Sequence, residues 1–209
     1  MFEERSKRMS SVEFFYDYGS PYSYLADTRL AGLAARTGAS LLYRPLLLGG
    51  VFKATGNQSP FVEPVEAKRR YFSTELRRAV SRLGVTFEHN PHFPINTLAL
   101  MRAAHAAVAL DVFDRFHATI YRAFWTVGSN LGDPGVIEEV LRAAGLDGKE
   151  IVSLSREDES KAALRATTDE AVARGVFGAP TFFVDDEMFF GNDRMDLVEE
   201  ALGHGDNQG

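Results

Sequence analysis

Val12-Glu13-Phe14-Phe15-Tyr16-Asp17-Tyr18-Gly19-Ser20-Pro21-Tyr22-Ser23-Tyr24-Leu25 decides the fold, because the hydrophobic period changes inside it. Val12, Phe14, Tyr16 and Tyr18 alternate with more polar or flanking positions, the period of a strand. After Gly19-Ser20-Pro21 the apolar residues Tyr22, Leu25, Ala26, Leu30 and Leu33 recur at helical spacing, and Gly38 supplies a stop. Residues 40–47 (SLLYRPLL) read as a second strand, and Pro45 predicts that it bends or ends there. Strand, helix and strand in this order predict a parallel, right-handed βαβ unit.

The other end of the chain has a complementary pattern. Thr181 to Val184 (TFFV) reads as a strand, Asp185-Asp186 as a tight turn and Met188 to Phe190 as a returning strand, which makes a hairpin. A helix from about Asp193 to Leu202 follows. The middle is helical. Residues 62–83 place Val65, Phe72, Leu76, Val80 and Leu83 on one face. Asn96 is the expected cap of a helix through Leu98, Met101 and Val108, and Asp111 that of one through Phe113, Phe116, Ile120 and Phe124. Asp133-Pro134 opens a helix ending near Gly145. Ser155 with Asp158 reads as a capping box before a long helix ending at Gly175. Removing the middle block leaves the thioredoxin arrangement. The expected organisation is α/β: residues 12–50 and 160–203 form a discontinuous thioredoxin-like domain, 51–159 a helical insertion, and 1–11 and 204–209 loose tails.

Composition narrows the function. A chain of 209 residues, 45% hydrophobic and 25% charged, can bury a full core without staples. The net charge of -6 argues against nucleic acid or an anionic membrane as the main partner. The start, MFEERSKRMSS, has no apolar core and does not read as a secretory signal. No apolar run approaches the roughly 18 residues of a membrane span, so a cytoplasmic location is expected by default. There are no cysteines. Disulfides, thiolate metal sites and thiol chemistry by side chains are therefore excluded, and any sulfur nucleophile must arrive with a bound molecule.

Four stretches can carry chemistry. Ser20-Pro21-Tyr22-Ser23 lies where a helix N-terminus offers free N–H groups and partial positive charge to an anion. Ser20 and Ser23 have the spacing of a Cys-x-x-Cys pair, although a serine before proline is also a plain cap. Gly178-Ala179-Pro180-Thr181 would present the Ala179 backbone towards that helix, with a cis Pro180 possible; an ordinary turn proline is the alternative. Asn192 and Asp193, entering the last helix, can hold the ammonium and carboxylate of an amino-acid-like group, or simply cap it. Lys53 and Asn57, in a Gly-rich segment after Gly49-Gly50, can hold a carboxylate or be ordinary loop polarity. Trp125, the single tryptophan, is a core residue or a substrate wall. His89 and His92 lack a third ligand, so no metal is expected. The basic cluster Lys68, Arg69, Arg70, Arg77, Arg78 and Arg82 reads as a solvated face.

The succession SPYSYL, LLLGGVFKATGNQSP, FPINTLALMR and GVFGAPTFFVDDEMFFGNDRMDLVEEAL closely resembles the 2-hydroxychromene-2-carboxylate isomerase family from about Val12 to Leu202. Kappa-class glutathione transferases share the pattern, and both are relatives of DsbA-type disulfide oxidoreductases. The resemblance implies a homodimeric thioredoxin-like protein with a helical insertion that binds glutathione and a small aromatic substrate. It implies that Ser20 hydrogen-bonds the glutathione sulfur, and that Ala179, before a cis Pro180, pairs with the cysteinyl backbone. Asn192 and Asp193 would hold the γ-glutamyl end; Lys53, Asn57 and Trp125 would lie near glutathione or substrate. One departure is Gly19, where many members carry a bulkier apolar residue; it is expected to widen the entrance or loosen the turn. The reading is a glutathione-dependent cis–trans isomerase. The alternatives are a kappa-like transferase, and a non-catalytic binding module that has lost redox activity.

Overall fold

The computed structural model describes residues 10–204. The expectations for residues 1–9 and 205–209 lie outside the described residues. Ser11, placed by sequence in a tail, already belongs to strand β1 (Ser11–Tyr16). Helix α1 (Pro21–Thr37) follows, opened by Ser20 and closed by Gly38 at φ +71°. Strand β2 (Ser40–Pro45) lies parallel to β1, with Val12 opposite Leu41 and Phe14 opposite Tyr43. Near the other end, β3 (Thr181–Val184) and β4 (Glu187–Phe190) form the hairpin, and β3 runs antiparallel to β1. The sheet order is β2-β1-β3-β4.

β1 is the centre of the molecule because aromatic side chains leave from both its faces. Phe14 and Tyr16 stack at 5.2 Å, and Phe14 stacks on Phe182 at 5.3 Å across the β1–β3 pair. This face packs against α1, the helices of the middle block and the last helix, α9 (Met195–His204). Phe15 leaves the opposite face and meets Phe183, Leu46, Val51, Ala171 and Val176 in a second, smaller cluster. An ion network rims it: Glu13 pairs with Arg174 at 2.8 Å, Arg174 lies over the Phe183 ring, and Arg44 bridges Glu13 and Glu170.

Two helices of this second face went unread in the sequence or were placed differently. Helix α2 (Leu48–Thr55) stands where the sequence reads as a Gly-rich segment after Gly49-Gly50. Tertiary contacts impose the helix: the Leu47 N–H donates to Thr168 Oγ1, and a side chain at Gly50 would crowd Thr168. Helix α8 (Asp158–Ala173) starts without its expected capping box. Ser155 instead ends the unforeseen short helix α7 (Gly148–Leu154), its hydroxyl donating to the Val152 carbonyl.

The remaining helices are α3 (Glu66–Leu83), α4 (Leu98–Ala109), α5 (Phe113–Arg122) and α6 (Pro134–Ala143). Asp133 caps α6 through the Gly135 N–H, as its position before Pro134 predicts. Asn96 accepts from the Leu98 N–H at the start of α4. Asp111 does not cap α5. It sits at φ +56°, a conformation that aspartate tolerates, and turns the chain after α4. The basic face of α3 is exposed and partly paired within its own neighbourhood, Arg70 with Glu66 and Arg78 with Glu75. Among the described residues no helix is long and apolar enough to cross a membrane.

A buried polar chain ties α1 and α5 to the end of β1. Asp27 meets His117 Nε2 at 2.9 Å, His117 Nδ1 meets the Tyr18 hydroxyl at 2.9 Å, and that hydroxyl lies 3.4 Å from the Tyr16 hydroxyl. Burial pushes the Tyr16 and Tyr18 phenols well above their ordinary value, so both stay neutral and available as hydrogen-bond partners.

Candidate functional site

The site grows from the junction between β1 and α1. The first N–H groups of a helix have no partner inside it. Ser20 answers one of them: its Oγ accepts the Ser23 N–H at 3.1 Å and donates to the Ala179 carbonyl at 3.0 Å. Ala179 precedes a cis peptide to Pro180. The Ala179 N–H makes no hydrogen bond with any described residue. The serine hydroxyl, the helix start and an open backbone donor thus meet at one place. Ser23 is not a second surface hydroxyl. It is fully buried and its Oγ has no hydrogen-bond partner.

Two further stretches converge here. The Gly191 N–H donates to the Pro180 carbonyl at 3.0 Å, which seats Asn192 and Asp193 beside the same turn. The Asn192 carbonyl is held by Arg29, and the exposed Asp193 carboxylate pairs with Arg194 at 2.6 Å. Asn57 donates from its amide to the Phe177 carbonyl at 2.9 Å, two residues before Ala179. Lys53, exposed on α2, is not drawn into contact with any of these groups.

Trp125 is core. It is 1% exposed, stacks on Phe87, and gives its indole N–H to the Tyr18 carbonyl at 2.8 Å. It lies in a π-helical turn (Ala123–Val127), so it braces the Ser20 turn from behind instead of lining an open cavity.

Residues not singled out by sequence complete the arrangement. Asp17 is 1% exposed, and its carboxylate accepts the Gly19 N–H at 2.9 Å, the Leu48 N–H at 2.9 Å and the Thr97 hydroxyl at 3.0 Å. It fixes the Ser20 turn to α2 and to the start of α4. Tyr22, on the first turn of α1, is stacked with Phe61, which meets Phe93 edge-on at 5.1 Å. Burial, followed by the nearby Glu75 and Asp193 charges, pushes its phenol up to about 12, so it is a donor at neutral pH.

Gly19 neither loosens the turn nor opens it. The volume a Cβ would need is filled, with the Thr97 methyl only 2.8 Å away. That methyl is fixed because the Thr97 hydroxyl is committed to Asp17. Gly19→Ala is expected to cost about 1–3 kcal/mol through overpacking. Adding Thr97→Ser, which keeps the hydroxyl and deletes the methyl, should recover most of it. Chemical denaturation of both single variants and the double variant measures the coupling, which should be at least about 0.5 kcal/mol. Additive losses would mean the contact does not carry the effect.

The description of a DsbA-like thioredoxin domain matches residues 11–203. The chain belongs to the DsbA-like thioredoxin family. Within this family it is similar to the 2-hydroxychromene-2-carboxylate isomerase of Sphingobium xenophagum, 32% identical over 92% of this chain and 97% of that protein. It is also similar to human glutathione S-transferase kappa 1, 27% identical over 92% of this chain and 91% of that protein. A solved 2-hydroxychromene-2-carboxylate isomerase superposes with a TM-score of 0.78 at 28% identity, covering 94% of this chain and 96% of its own.

Proposed function

We propose that this DsbA-like protein is a glutathione-dependent cis–trans isomerase acting on 2-hydroxychromene-2-carboxylate or a closely related intermediate of aromatic breakdown. The observation that carries this is the meeting of the Ser20 hydroxyl, the start of α1 and the open Ala179 N–H in a chain without cysteine. Isomerase and kappa-class relatives of nearly the full length support it.

The residues present fit the tripeptide. Ala179 offers both an N–H and a C=O, the pair an extended peptide backbone needs. Ser20 lends its proton to the Ala179 carbonyl; a peptide N–H taking over that carbonyl would free the hydroxyl to point at sulfur. Asp193 would take an ammonium, and Asn192 a carboxylate. When bound, glutathione supplies the thiolate that the chain itself lacks, which adds reversibly across a conjugated double bond so that the bond can rotate. Ser20 and the N–H groups of α1 favour the charged form of a thiol whose ordinary pKa is near about 8.5. Tyr22 donates to an oxygen of the substrate, and the Tyr22–Phe61–Phe93 wall accepts its ring. Lys53 and Asn57 sit on the segment that would face the substrate carboxylate. A homodimer and the division into residues 12–50 with 160–203 and an inserted 51–159 belong to the same reading.

The test is incubation with 2-hydroxychromene-2-carboxylate, with and without glutathione. Isomerisation should require glutathione, and the free thiol titre should stay constant. A falling thiol titre with chlorodinitrobenzene, and no isomerisation, would favour the kappa-like transferase instead. A flat calorimetric titration with glutathione would remove both and leave a binding module.

A further inference from the structure

FPINTLALMR contributes Thr97 to the Asp17 contact, but its last residue points elsewhere. Arg102, on α4, has its Nε shielded from solvent with no hydrogen-bond partner. Leaving a buried N–H donor unpaired is costly, and the half-buried guanidinium keeps its two terminal nitrogens open to a ligand. Arg102 lines a cavity of about 210 Å³ between α4, α6 and α7. Arg156 lines the same cavity, and neither guanidinium has a hydrogen bond or ion pair with any described residue. Two cations with no counter-charge among the described residues thus line one concavity.

The chemistry of the walls narrows the ligand. A guanidinium matches a carboxylate in shape as well as charge. Asn96 adds an amide whose oxygen is already taken by the Leu98 N–H, which leaves its N–H donors free. Leu98, Ile137 and Val152 add an apolar wall, and the Ser155 hydroxyl beside them is committed to the Val152 carbonyl, which suits a hydrocarbon body more than a bare inorganic anion. The volume is below the roughly 300–1,000 Å³ of sites for drug-sized ligands, and fits a single ring or a short chain. We propose that this cavity binds a small organic carboxylate, with Arg102 and Arg156 on the carboxylate and the apolar wall on its body. Ser20, Ala179, Asn192 and Asp193 do not line it, so the proposal is independent of glutathione binding.

Amide NMR of the full chain titrated with benzoate, with inorganic phosphate as the charge-only control, tests it. Saturable shifts are expected at residues 96–102, 132–137 and 152–156, with a dissociation constant on the order of 1 mM or below. Loss of one charge-assisted contact in Arg102→Gln or Arg156→Gln should weaken binding by about tenfold. Ser20→Ala should leave it unchanged, and phosphate should bind at least about tenfold more weakly. Arg156 is exposed, so Arg156→Gln carries the test even if Arg102→Gln fails to fold. No saturation, unchanged affinity in Arg156→Gln, shifts gathered around Ser20 and Ala179, or phosphate binding as tightly as benzoate would each overturn the proposal.

Discussion

Replacing Ser20 by alanine is expected to lower kcat/KM for the glutathione-dependent reaction by about 10²–10³, the effect of removing one preorganised donor from a developing anion. The same change removes a helix cap, because Ser20 Oγ accepts the Ser23 N–H. Loss of a serine cap to alanine costs about 1 kcal/mol of stability, whereas a change to glycine costs only a few tenths. Ser20→Ala and Ser20→Gly should therefore differ in melting temperature yet lose activity to the same extent. That contrast separates capping from chemistry. The pH profile supplies a second readout. With Ser20 present, the thiolate form of the bound thiol extends to lower pH. In either variant the rising limb of kcat/KM should move up towards about 8.5, the ordinary thiol value. Equal pH profiles, or retained activity in both variants, would place Ser20 among structural caps.

Why Ser20 was legible in sequence and its supports were not follows from what each signal depends on. The β1–α1 junction announces itself through a change of period within one local stretch, and the β3–β4 hairpin through two β-rich runs around Asp185-Asp186. These are local properties, and the structure places both as expected. Helix α2 was hidden because its first turn contains two glycines. Its helical state depends on Asp17 and Thr168, which are distant in the chain. Ser155 and Asp111 have good capping chemistry but were claimed by neighbouring structure, the end of α7 and the turn after α4. Trp125 illustrates the converse. Its size marked it as important, but only packing shows that it braces the carbonyl of Tyr18. Tyr22 was read as one apolar position of a helix face, and nothing local announces that acidic neighbours and Phe61 surround it.

Asp17 is where fold and site depend on the same atoms, and Asp17→Ala should be the most damaging single change to stability described here. Its two oxygens satisfy three donors from three separate segments: Gly19 before α1, Leu48 at the start of α2, and Thr97 at the start of α4. Alanine would strand all three where water has little access. Each unsatisfied donor costs about 1–3 kcal/mol, and partial relaxation brings the expected loss to about 3–5 kcal/mol. Activity should fall with it, because the turn presenting Ser20 loses its anchor to α2. Asp17→Asn keeps the shape and one acceptor and should recover part of the loss. Burial pushes the Asp17 carboxyl above its ordinary value of 3.8, while the three donors pull it down against that rise. The folded state thus binds this proton more tightly than the unfolded chain does. Its contribution to stability therefore falls as pH rises from 3.8 through the raised folded value, and is flat above it. Subtracting the Asp17→Asn stability curve from that of the wild type isolates this step. A difference that instead grows with pH over that window would mean that the three hydrogen bonds outweigh burial and that Asp17 is held as the anion.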